Sequence, residues 1–135
     1  MKFLNNVDAN DNSFLLTNAQ ISSAELVVSS TDSAELYSFS KEFFRSAKFV
    51  IQTVSSSGFS FSFSTRELLA IHDDVSGFLT EYAIVGTSEF LEKDEFSFSL
   101  VNNEAVLSVK PTTLDSRNIK VHVTLFPDYE FINGG

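Results

Sequence analysis

The tripeptide His72-Asp73-Asp74 is where this chain comes nearest to catalytic or metal chemistry. An imidazole beside two carboxylates supplies an acid–base pair or part of a ligand set. A metal centre, however, needs three or four groups converging on one point, and neighbouring residues on a strand point to opposite faces. The tripeptide therefore reads as a strand end running into a turn. His122 sits mid-strand in Lys120-Val121-His122-Val123, with no nucleophile beside it. Serine is abundant, but no Gly-x-Ser-x-Gly elbow exists to expose one as a nucleophile. Nor is there a Gly-rich phosphate loop. Asp8, Asn10 and Asn12 alternate as at the start of a calcium loop, yet Ser13 and Ala19 stand where that loop requires Gly and Glu. The absence of cysteine removes thiolate zinc sites, thiol catalysis and disulfides together. These residues imply no enzyme, no cofactor and no metal.

The elements that would have to position any site are strands. Phe59-Ser60-Phe61-Ser62-Phe63-Ser64 alternates strictly, and Phe96-Ser97-Phe98-Ser99 echoes it. On a strand, alternate side chains share a face, so each run puts Phe on one side and Ser on the other. The expectation is that the Phe faces are buried and the Ser faces wet, as in an antiparallel sheet with one side solvated. With 15 Phe, some aromatics are left over for an interface.

Strands are expected at 13–17, 24–29, 35–40, 47–54, 59–64 continuing through 66–72, 78–85, 95–100, 104–110 and 118–126. A short edge strand is expected at 88–91. Ser55-Ser56-Ser57-Gly58 reads as a hairpin loop and Asn102-Asn103 as a two-residue turn. Segment 41–45 is open between a helical turn and a strand entry. About nine or ten strands at roughly 8–12-residue spacing make an all-β, antiparallel β-sandwich with jelly-roll-like or Greek-key connections. No linker divides the chain. Residues 1–30 form an N-terminal arm and first strands, 31–126 the sandwich, and 127–135 a tail. Arg45, Lys48, Arg66, Glu67 and Glu81 are expected to form cross-strand ion pairs on the wet face, the alternative being a recognition patch.

A length of 135 residues with 43% hydrophobic content suits one domain with a full core. The formal charge of −9 repels phosphate backbones and anionic lipid, so neither nucleic acid nor membrane is an expected partner. No apolar run follows Lys2, so no signal peptide is read, and a protein made and assembled in a cytoplasm is expected.

Three segments carry a family resemblance: Phe44-Arg45-Ser46-Ala47-Lys48-Phe49-Val50-Ile51-Gln52, then Glu67-Leu68-Leu69-Ala70-Ile71-His72-Asp73, then Leu79-Thr80-Glu81-Tyr82. Later apolar strands at 105–109 and 119–124 complete the pattern. This order resembles a β domain of virion structural proteins in tailed bacteriophages of the marine myovirus type, over residues 35–126. The chain departs from the family in lacking Gly-Thr after His72-Asp73, and residues 1–30 match nothing in it. The resemblance implies a non-enzymatic virion component.

Within that class the first expectation is a head-decoration, or cement, subunit that binds the major capsid protein and stabilises the head by linkage. Its arm, residues 1–20, would anchor through Phe3, Leu4, Phe14 and Leu15. The alternative is a neck, tail or fibre component. Either way a homo-oligomer is expected, with a trimer as one form. From another class comes a carbohydrate-binding sandwich for host-surface recognition, with Tyr37, Tyr82, Asp73 and Asp74 as its residues.

Overall fold

β-branched and aromatic side chains dominate residues 44–54, and the strand they form is the longest in the molecule. A computed structural model describes residues 7–8, 13–16, 18–57 and 60–128, with backbone alone for 7, 8, 13–15 and 57. The strands are β1 (Val7–Asp8), β2 (Ser13–Leu15), β3 (Gln20–Val28), β4 (Ala34–Ser40), β5 (Phe44–Ser57), β6 (Ser60–His72), β7 (Gly77–Gly86), β8 (Glu95–Val101), β9 (Glu104–Lys110) and β10 (Arg117–Pro127). One helical turn, α1 (Glu89–Glu92), lies between β7 and β8.

Every pairing is antiparallel. A seven-stranded sheet runs β1-β2-β3-β10-β5-β6-β7, and a three-stranded sheet runs β4-β9-β8. The chain crosses between them at β3–β4, β4–β5, β7–β8 and β9–β10, which makes the antiparallel sandwich that the alternating sequence calls for. The core fills the space between the sheets. Phe49, Ile51, Leu68, Val121, Val123 and Leu125 project from the large sheet, and Leu36, Phe39, Phe98, Leu107 and Val109 from the small one. Gly77 permits a close approach of the two sheets, because a Cβ there would lie 2.8 Å from both the ring and the carbonyl oxygen of Phe98.

Turn chemistry sets the registers. Asn102, at φ 56, begins the two-residue turn that joins Val101 to its partner Glu104. After β6, Asp73 Oδ1 accepts the N–H groups of Val75 (3.0 Å) and Ser76 (2.7 Å), while Asp74 takes φ 74. Residues 41–43 are a turn, and β5 begins at Phe44.

Two expectations need correction. The triple serine is no loop: β5 and β6 stay paired out to Ser57 and Ser60. The expected strand at 88–91 is instead α1. Its single turn buries Leu91 completely and aims the Leu91 carbonyl at Arg66 Nη2 (2.7 Å), which an extended segment of four residues would not do.

Candidate functional site

The parity of β6 is fixed by its second half. Leu68 and Ala70 enter the core opposite Phe49 and Ala47. Since strand side chains alternate, Ser62, Ser64 and Arg66 share the inner side with them, and Phe61 and Phe63 are driven outward with Leu69 and Ile71. Phe61 is 64% exposed and Phe63 50%, whereas Ser64 is buried. The Phe-Ser expectation is thus inverted for this run, because continuity with Leu68 outweighs local hydrophobicity; Phe59 lies outside the described residues. In β8 the same motif behaves as expected, with Phe98 buried and Ser97 and Ser99 exposed.

The consequence is a strand whose solvent face is more apolar than its core face. Its neighbours extend that face. At one end Phe63 pairs with Val54, Phe61 stacks on Phe63 (centroids 6.4 Å, 24°), and Val85 stands beside Thr65. Val27 continues this zone across Asn118. At the other end Ile71 pairs with Phe78, Leu69 lies along the strand, and Phe126 follows across Ser46. Between the two zones runs a polar band that holds Lys48, Gln52, Thr65, Glu67 and Lys120. An open groove of ≈ 410 Å³ crosses the first zone, lined by Gln52, Val54, Phe63, Thr65, Val85 and Lys120 among others.

Charge on this face balances. Among the described residues of β3, β10, β5, β6 and β7, the outward charged side chains are Glu25, Lys48, Glu67 and Lys120. Glu25 also accepts from Asn118 Nδ2 at 2.7 Å. The chain's net −9 therefore resides elsewhere.

The expected wet-face ion pairs are rearranged. Arg66 points inward at 3% exposure; it donates to Glu81 Oε1 (2.6 Å) and to the carbonyls of Leu91 (2.7 Å) and Asp94 (3.3 Å), 4.5 Å over the Phe96 ring. Arg117, fully buried, donates Nε and Nη2 to Asp94 (2.6 and 3.0 Å) and reaches the Thr113 and Asp115 carbonyls. These two arginines fill the end of the sandwich where the inner face of β6 carries serine. Arg45 bridges Asp74 (3.2 Å) and Asp128. Desolvation disfavours its charge, but the contacts with Asp74 and Asp128 outweigh this and raise its pKa.

His72 is committed to structure. Nε2–H donates to the Phe44 carbonyl (2.7 Å), and Nδ1 accepts from the Asp74 N–H (3.1 Å), with Arg45 Nη1 at 3.3 Å. Because arginine and the Asp74 N–H can only donate, Nδ1 is the acceptor and Nε2 is left to donate to the Phe44 carbonyl. Neither nitrogen remains for a substrate. His122 is exposed mid-strand in β10, on the outer face opposite Val50 and Ser23. Among the described residues, no three His, Asp or Glu side chains converge as metal ligands.

The glycan-binding residues are dispersed. Tyr37, in the small sheet, packs edge-on against Phe49 (6.2 Å), and burial pushes its phenol up despite a hydrogen bond with Ser22. Tyr82 is at the bulge of edge strand β7, and Asp73 and Asp74 are engaged in the β6–β7 turn. Of the arm anchors, Phe3 and Leu4 lie outside the described residues. Phe14 and Leu15 are placed by backbone in β2, opposite Ile21 and Gln20. Asn10 and Asn12 of the calcium-like pattern also lie outside the described residues. Sequence reasoning missed the outward placement of Phe61 and Phe63. The sequence carried no signal for it, because Phe61, Phe63, Leu69 and Ile71 share the more apolar parity, which alternation alone places inward.

No protein-family model matches the chain, and no curated protein matches it in sequence. Among solved structures, it is similar to the tailspike protein of Acinetobacter phage vB_ApiP_P1, with TM-score 0.57 and 12% identity over 78% of this chain and 22% of that one. The tailspike of Acinetobacter baumannii phage AM24 gives TM-score 0.47 and 4% identity over 82% of this chain and 26% of that one. A tailspike from Acinetobacter baumannii bacteriophage Fri1, described as a capsular polysaccharide depolymerase, gives 0.44 and 11% over 87% and 18%. The chain thus spans about a fifth of the first of these proteins, and what they share is a fold.

Proposed function

We propose that this chain is a non-enzymatic structural module of a tailed-phage virion, acting on the tail side as part of a spike or fibre assembly. The observation that carries the reading is the inverted β6, which spends its larger apolar side on solvent. An apolar outer face of this extent marks a protein contact. The virion setting is supported by the fold shared with a piece of a phage tailspike and by the resemblance in the Arg-Ser-Ala-Lys and His-Asp segments. The tailspike likeness favours the tail over head decoration.

The test is gold labelling of purified virions with antibody against this chain. Label at the tail or its fibres is expected. Label confined to the head would favour decoration, and absence from the virion would overturn the reading.

A further inference from the structure

We propose that the outer face of the large sheet, from β3 through β10, β5 and β6 to β7, is a self-association surface and that its occupant is a second copy of this chain. The inference goes beyond the virion reading and rests on the chain's own geometry. With four phenylalanines and five aliphatic side chains between 38% and 70% exposed, and roughly 150–250 Å² for a whole aromatic side chain, the two zones together offer on the order of 800 Å². A stable interface of standard size takes about that area, near 800 Å², from each partner.

Charge selects the occupant. Two copies of a chain at −9 repel over most of their surfaces, and a basic partner would be drawn to the acidic ones. This face is where the charge cancels. Under a two-fold rotation, Lys48 and Lys120 of one copy can meet Glu25 and Glu67 of the other, since an isologous contact matches each residue i with a residue j in both directions. The polar band thereby fixes register while the zones at either end supply the buried apolar area. Stacked sheets lie about 10 Å apart, a spacing that side chains of this size fill.

Sedimentation velocity on the full chain, from micromolar to several hundred micromolar, tests the inference. The expected result is a species of at least twice the 15.0 kDa chain mass that grows with concentration. Phe63→Lys is expected to abolish it with an unchanged circular dichroism spectrum. Thr65→Lys, at an exposed position in the same groove, serves if Phe63→Lys does not fold. Ser99→Lys, on the outer face of the small sheet, is expected to associate like the native chain. A native chain that stays monomeric throughout, or association that survives both groove substitutions, would overturn the inference. Either result leaves the virion labelling to be decided on its own.

Discussion

Asp94 holds one end of the sandwich closed, and its removal should be among the most damaging single changes in the chain. Its carboxylate takes two hydrogen bonds from Arg117 and one from the Thr112 N–H (3.1 Å), and its carbonyl takes one from Arg66. Arg117 is 0% exposed and Asp94 5%. In Asp94→Ala the Arg117 guanidinium keeps its carbonyl partners but loses its counter-charge in a site closed to water. Breaking a buried pair from one side costs about 3–5 kcal/mol. For a domain of this size, at roughly 3–5 °C per kcal/mol, the midpoint of thermal unfolding should fall by about 10–25 °C. The segment from α1 to β8 should also loosen, because Arg66 and Arg117 grip it through Leu91 and Asp94. Calorimetry supplies the first readout, and trypsin cleavage after the exposed Lys93 the second, with faster cutting expected in the variant. Arg117→Met with Asp94→Leu should be less damaging than Asp94→Ala, since no charge is then stranded. A loss below about 1 kcal/mol in Asp94→Ala, the scale of an exposed pair, would refute the reasoning.

Two further outcomes follow from the turns and the sheet contact. Gly77→Ala forces a Cβ against the Phe98 carbonyl, so chemical denaturation should show a loss of about 1–3 kcal/mol, the scale of overpacking. Asp73 has its pKa lowered by the Ser76 and Val75 N–H groups. A folded-state pKa below the unfolded one means that the stabilisation is whole above the ordinary value of about 3.9 and is lost as pH falls through the lowered one. Asp73→Asn keeps a carbonyl acceptor without the ionisation, so melting temperatures between pH 6 and pH 2 should fall less steeply for the variant than for the native chain.

Much of the fold was legible because strand alternation is a local signal. The β9 strand and its Asn102-Asn103 turn, the β6–β7 turn at Asp73, and the long β10 all follow from residue types at short range. Which side of β6 faces the core is not local. It depends on Leu68 and Ala70 meeting Phe49 and Ala47 across the sheet, and on two arginines taking the polar inner end. For the same reason Arg66 read as a wet-face residue when it is a buried one. His72, by contrast, was legible as a strand-end residue. The docking face was visible only as a surplus of aromatics, since no sequence pattern distinguishes an outward phenylalanine from an inward one until register is known.

The account turns on the phenylalanines of β6 standing on the surface, ready for a partner, and paired unfolding measurements test that most directly. At concentrations low enough to keep the chain monomeric, Phe61→Ser should change the unfolding free energy by less than about 1 kcal/mol. Phe98→Ala, at 7% exposure in the small sheet, should cost about 3–5 kcal/mol. A large loss at Phe61 with a small one at Phe98 would mean that β6 faces the other way and that no docking face exists.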